Sequence, residues 1–403
     1  MSRKIAVVAH NRETDYLEQV VNLCKEYFLA DEILTFGYNS KSDSQEKLLH
    51  SIVKDKSIKI VILLCNNLQL IADNIGEIRR TRKDIFLSLV KIYECLLFDS
   101  NEKLYQMGIS YCKKYSCNLV LMSDIKHSKH MVVAPEEAHY SSPSFEEALL
   151  NLIQMTALRS ALTFTRSTLV EGELVGWQSE QVPSSLRTVV DYCIAKGAYK
   201  PINGVTAGHF AVKVNDNTFL TSVRRTNFNK LHENGLVRVE AKGNDEVIAY
   251  GAKPSVGGQS QRIVFRDHPE YDCIVHFHSP KRYGSKVPVR SQREVECGSH
   301  QCGENTSQGL KKFGNLAAVY LDNHGPNIVF NRSIDPQEVI NFIEDNFDLT
   351  RKTDEFYNYG ERNRLSYEEV QLTEEQAEFI RNLPKFEGPV PQRLPEADPS
   401  TLF

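Results

Sequence analysis

Residues 4–125 alternate apolar runs with amphipathic stretches, and few folds accommodate that order. "KIAVVAH" is a continuous apolar run of the kind buried on both faces in a parallel sheet. "TDYLEQVVNLCKEYFL" follows with apolar residues at helical spacing, then "EILTFG" as a strand, "SQEKLLHSIV" as a helix and "IKIVILLCN" as a strand. "DIFLSLVKIYE" reads as the next helix, and "CLLFD" and "NLVLMSD" as the last strands. Strands separated by helices in this way imply an α/β N-terminal domain with a parallel sheet.

The texture then changes. Residues 126–182 read as a turn-rich connector with one helix, "FEEALLNLIQMTALRSALTF". Residues 183–350 open with the helix "SSLRTVVDYCIAKGAY" and continue through short strands ("HFAVKV", "FLTSV", "LVRVEA", "EVIAYG", "CIVHFH", "AAVYLDN", "NIVF"), an α+β pattern with a mainly antiparallel central sheet. Residues 351–403 read as C-terminal helices and a Pro-rich tail. At 403 residues, with 25% charged and 41% hydrophobic residues, the chain has room for two sizeable cores. A net charge of −4 gives no general attraction to nucleic acid or to an anionic membrane. Nine irregularly spaced cysteines read as thiols in a reducing compartment, and no apolar window is long enough for a spanning helix, so a cytoplasmic protein is expected.

Within "YDCIVHFHSP", His276 and His278 are two apart, so a strand would turn both to one face. Two imidazoles on one face can share a cation, or they can be polar residues on a wet face. Three ordered segments decide between these readings. "VTAGHFAVKV" resembles the T-x-G-N-x-S-x-R turn of the class II aldolase/adducin family, "HPEYDCIVHFHSP" resembles its R-P-D-x-x-x-V-x-H-x-H-S motif, and "AVYLDNHGPNIVF" resembles its L-x-x-H-G segment. The resemblance spans about residues 185–350 and implies that His276, His278 and His324 hold one divalent metal, zinc first, with manganese, cobalt or iron also compatible with three imidazoles. It further implies a lyase that uses the metal as a Lewis acid to stabilise an enediolate while a carbon–carbon bond breaks in a phosphorylated sugar or related hydroxy-carbonyl compound. Epimerisation, dehydration or decarboxylation are variants of the same chemistry.

The chain departs from that family at several places. The family's acid/base Glu has no counterpart in "GAKPSVGGQSQRIVF", where Gln259 and Gln261 are the nearest polar residues. His209 replaces the Asn of the phosphate turn, leaving Thr206, Gly208 and Gln259 as substrate-binding candidates. In "FLTSVRRTNF", Arg224 and Arg225 stand where the family has a small residue and Gly, and two arginines can fork onto a phosphate or carboxylate. "VPVRSQREVECGSHQCGENTSQGL" holds Glu294, Glu296, Cys297, His300, Cys302 and Glu304. Glu296 or Glu304 is a candidate for the missing base, with His209 as another, and Cys-x-x-His-x-Cys also invites a second zinc. The family's cyclic tetramers complete each site with a neighbour's Tyr, for which Tyr357 and Tyr359 are candidates. A non-catalytic, adducin-like scaffold or metabolite-binding protein is the competing expectation.

The N-terminal segment resembles a methylglyoxal synthase-like domain through "RKIAVVAHN" and "SDSQEKLLHSIVKDKSIKIVIL", which puts His10 and Asp43 at that family's His and Asp. Its phosphate loop and later motifs are missing, so a sensor or assembly role is expected there, not synthase activity.

Overall fold

The computed structural model describes residues 3–351 except 11–13, 30, 39–47, 49, 65–77, 80, 94–99, 137, 203 and 244–245. Asp43, Tyr357 and Tyr359 lie outside the described residues, as do the side chains of His10 and Gln259.

The first unit is a seven-stranded sheet in the order β2-β1-β3-β4-β5-β6-β7. Its strands are β1 (Lys4–His10), β2 (Glu32–Tyr38), β3 (Ile58–Leu64), β4 (Phe86–Tyr93), β5 (Leu119–Asp124), β6 (Lys129–Val133) and β7 (His139–Ser142). The first five run parallel and the last two antiparallel. Helices α1 (Thr14–Tyr27) and α3 (Phe145–Arg159) cover one face, where Val20, Cys24, Leu149 and Ile153 meet Ile5, Ile60 and Val90. Helix α2 (Asn101–Tyr115) covers the other, where Leu104 and Ile109 meet Val61, Leu87 and Leu89. This doubly wound order bears out the parallel α/β expectation, but it is shared by many domains and does not single out the methylglyoxal synthase-like resemblance.

Two expectations are corrected here. "DIFLSLVKIYE" is not a helix: Phe86–Tyr93 is a strand buried along its whole length, with alternate residues feeding the two cores. In this run the two polar residues, Ser88 and Lys91, are three apart, a spacing that fits a helix as readily as a buried strand. Nor do residues 126–182 form a connector. β6, β7 and α3 complete the first unit, and β8 (Arg166–Val170) is the edge of the second sheet.

The second sheet has the order β16-β18-β19-β15-β11-β12-β13-β14-β8, with β17 also on β18. After the short hairpin β9 (Pro201–Ile202) and β10 (Val205–Thr206), its strands are β11 (His209–Asn215), β12 (Thr218–Ser222), β13 (Leu236–Ala241), β14 (Glu246–Tyr250), β15 (Cys273–His276), β16 (Val289–Arg290), β17 (Lys311–Phe313), β18 (Leu316–Leu321) and β19 (Gly325–Phe330). All neighbours are antiparallel except β8 with β14 and β16 with β18. Helices α4 (Ser184–Ala195) and α7 (Pro336–Asn346) pack on one face, around Trp177, Phe210, Val275, Phe277 and Phe330. Helices α5 (Val256–Asp267) and α6 (His300–Gly309) cover the other, which is thinner: Val264 and Phe265 meet Ala211, Ile274 and Val329, and Cys302 meets Val319 and Leu321.

Arg159, buried at the end of α3, joins the units. It donates to Glu136 (2.7 Å) and to the carbonyls of Gln292 (3.3 Å) and Arg293 (3.0 Å). Among the described residues no helix is long and apolar enough to cross a membrane.

Candidate metal centre

Strand register builds the site. His276, the last residue of β15, lies opposite His209 on β11 and opposite Asn327 on β19. Directly paired residues share a face, so these side chains form a polar row across three central strands, on the side covered by α5 and α6. Beyond β15 the alternation continues for two residues. Phe277 turns into the opposite core against Phe347 and Tyr199, and His278 returns to the face of His276. His324 comes from the three-residue turn between β18 and β19, in which Asn323 is left-handed (φ 55°).

Two glycines let the neighbouring chain press against this segment. Gly325 has φ 141°, and a Cβ there would lie 2.1 Å from the carbonyl oxygen of Phe277. Gly208 has φ 106°, and its Cβ would lie 2.7 Å from the carbonyl oxygen of His276. Neither position tolerates a side chain without moving the backbone that carries a histidine.

His276, His278 and His324 form a group able to hold a metal ion, with one ligand atom from each lying within 4.8 Å of the others. Ring centroids are 4.6–5.1 Å apart, and the residues are only 1%, 7% and 2% exposed. His276 Nδ1 donates to the carbonyl of Pro326 (2.8 Å), which leaves the lone pair on Nε2. That Nε2 is buried and has no hydrogen-bond partner. A buried acceptor left in this way costs about 1–3 kcal/mol. A backbone carbonyl fixing one ring nitrogen while the other faces two more imidazoles is the arrangement a metal ligand needs, so the residues fit the ion.

Electrostatics agree with neutral rings. Burial, then the neighbouring imidazole, holds His209 and His276 well below the usual histidine range, and burial brings His324 down to about 3. His209 stacks on His276 at 4.6 Å, and its Nδ1 is held by the Gln261 side-chain amide. A small cavity lies beside them, lined by His209, Gln261, His324 and Asn327, and also by Cys297 and Cys302.

Other expected site residues are placed elsewhere. Glu296 faces the first unit, where it accepts from the side chain of Asn118. Burial and the nearby Glu136 carboxylate push it up to about 7, against the pull of Arg159. Glu304 acts electrostatically on Arg266 of α5 and does not line the cavity. Arg224 and Arg225 are exposed. Thr206 uses its hydroxyl inside the turn, donating to the Thr226 carbonyl (3.2 Å) and accepting from Phe228 N (3.1 Å). A zinc on Cys-x-x-His-x-Cys is corrected: His300 Nε2 meets Thr165 Oγ1 (2.9 Å), and the histidine triad is the one metal-competent group among the described residues. Asn327 and Gln292 escaped sequence reasoning. The period-two signal of "HGPNIVF" places Asn327 on the site face, whereas nothing local marks Gln292, which donates to Cys302 Sγ (3.3 Å).

Residues 189–335 match the family described as Class II Aldolase and Adducin N-terminal domain, so this stretch carries a domain of that family. A search of curated proteins gives no match.

Proposed function

We propose that the second unit is a metal-dependent, aldolase-like lyase, with zinc as its resident ion on His276, His278 and His324. The observation that carries the reading is the His276 Nε2 lone pair, buried, without a hydrogen-bond partner, and oriented by the Pro326 carbonyl toward two further imidazoles. Bound there, the ion supplies a Lewis acid for a hydroxy-carbonyl substrate. The chain supplies the rest. Three neutral histidines leave the ion's charge undiminished. His209, positioned by Gln261 and stacked on His276, is assigned proton transfer in place of the family's carboxylate. Arg224 and Arg225 are assigned the phosphate or acid group of a small substrate. Assembly as a homotetramer in the cytoplasm belongs to the same reading.

One observation favours a second reading, a non-catalytic metabolite-binding or adducin-like protein: no carboxylate is among the described residues that line the cavity. Metal content by plasma mass spectrometry, on wild type and on a His276→Ala/His324→Ala double variant, separates the possibilities. The lyase reading expects about one zinc per chain, lost in the variant, with chelator-sensitive cleavage of a sugar phosphate. Metal with tight ligand binding and no turnover supports the second reading. No metal after reconstitution overturns the metal reading itself.

A further inference from the structure

Two thiols stand in the wall of the histidine cavity, and the function above does not use them. Cys297 lies in the turn before α6 and Cys302 in that helix's first turn. The chain folds back between them: Ser299 N and Oγ both donate to the Glu296 carbonyl (3.1 and 2.7 Å), and Ser299 Oγ in turn caps Cys302 N (3.0 Å). This turn sets Cys297 and Cys302 in the wall of the same small cavity.

The two sulfurs have different surroundings. Cys302 Sγ accepts from Gln292 Nε2 (3.3 Å), and the residue sits in the first turn of α6, at a helix N-terminus. The neighbouring Cys297 thiol, then the Gln292 amide, holds it below the ordinary thiol range. Gln292 is fully buried, and its Oε1 has no hydrogen-bond partner, so the sulfur is what its amide serves. Cys297 keeps its proton. Its contact with Cys302, burial and the carboxylates of Glu136 and Glu296 raise it well above the usual range. By contrast Cys24 and Cys117 sit in apolar cores where burial pushes each up to about 12.

We propose that Cys302 and Cys297 are a reversible dithiol/disulfide pair in the wall of the histidine cavity, oxidised by hydroperoxides. In the first step the Cys302 sulfur attacks one peroxide oxygen, the O–O bond breaks, and the departing oxygen leaves as water after taking a proton, so Cys302 becomes a sulfenic acid. The Cys297 sulfur then attacks the Cys302 sulfur. The S–O bond breaks, and the oxygen leaves as a second water with the Cys297 proton. Two thiols and one hydrogen peroxide give one disulfide and two waters, and a thiol reductant reverses the change. Oxidation removes both thiols from the cavity wall. The inference does not rest on the lyase reading.

The test treats the native full chain with graded hydrogen peroxide, alkylates the remaining thiols and maps tryptic peptides. The peptide Glu294–Lys311 is expected to become lighter by two hydrogens and unalkylated, at least about tenfold faster than Cys24, Cys117 or Cys273 are lost. In Cys297→Ser, which deletes the resolving thiol, Cys302 is expected to proceed to sulfinic acid. In Cys302→Ser, Cys297 is expected to react as slowly as the core thiols. A Glu294–Lys311 peptide that stays fully alkylated while core cysteines oxidise overturns the proposal, as does a Cys302 that is no faster than Cys24 in folded Cys297→Ser protein.

Discussion

Arg82 in the first unit and His276 in the second are both buried at the 1% level, and they end in opposite states. Every donor direction of Arg82 is used: its guanidinium reaches the carbonyls of Ile52, Val53, Asp55 and Ile58 at 2.7–3.2 Å and both oxygens of Asp84. His276 makes one bond through Nδ1 and leaves Nε2 with none. The first unit buries this polar group to tie a loop to a strand. The second leaves one buried nitrogen of its group without a partner, beside two further imidazoles. Burial and polarity alone therefore do not mark a functional site; an incomplete set of partners, converging with others, does.

The sharpest way to break this comparison is at the join. Arg159 serves the structural purpose of Arg82, but across two units. Arg159→Met should lose about 3–5 kcal/mol, because Glu136 stays buried with its charge uncompensated and the Gln292 and Arg293 carbonyls lose their donor. Urea unfolding followed separately by far-ultraviolet circular dichroism and by the fluorescence of Trp177 measures it. A loss below about 1 kcal/mol would show that the join contributes little and that the units stand apart.

Next in size is the pH dependence of the metal-free protein. His209, His276 and His324 have depressed native values, so below about pH 6.5 the unfolded chain binds protons that the native state refuses. Their contribution is complete above that pH and is lost as pH falls toward the native values, by about 1.4 kcal/mol per unit for each histidine. Glu296 works the other way. Its native value, raised to about 7, adds stability as pH drops from 7 toward the ordinary carboxylate range. These three histidines, with His130 of β6, which burial also lowers, outweigh Glu296 and leave a net loss on acidification, worth at least about two protons between pH 6 and 5. Thermal unfolding across that window should show the fall, and His324→Asn should make it shallower. A flat profile would mean that the rings are not buried as neutral bases.

Much of this difference between the regions was legible in the sequence, and the exceptions have physical reasons. The grouping of His276, His278 and His324 was expected from the resemblance over three ordered segments, since the two-residue spacing of His276 and His278 alone fits a wet strand face as well. The strand Phe86–Tyr93 was misread because its surroundings, not its period, make it a strand. Cys-x-x-His-x-Cys suggested a zinc site, but Ser299 starts a helix just before His300. Residues two apart on a helix face different ways, so His300 meets Thr165 while Cys302 turns inward. Asn327 follows from the alternation of its strand once the register is known, whereas the role of Gln292 depends on the packing of α6, which no local pattern encodes.

The smallest effect tests the turn at Arg224 and Arg225, where the resemblance expects a glycine. Arg225 has φ 58°, the left-handed conformation that a glycine takes without strain, which costs an arginine about 1 kcal/mol. Something other than stability must therefore favour the guanidinium there if the assignment to a substrate phosphate is right. Arg225→Gly should leave stability unchanged or raise it by up to about 1 kcal/mol, since relief of strain is partly offset by the greater freedom of the unfolded chain. In the same protein, affinity for a phosphorylated ligand should fall about tenfold, with a smaller loss for its unphosphorylated counterpart. Both quantities come from one preparation, by urea unfolding and by titration calorimetry. A variant that gains stability and binds the phosphorylated ligand as before would reduce Arg225 to a solvated turn residue, leaving the phosphate site to be sought among the backbone amides around Gly208.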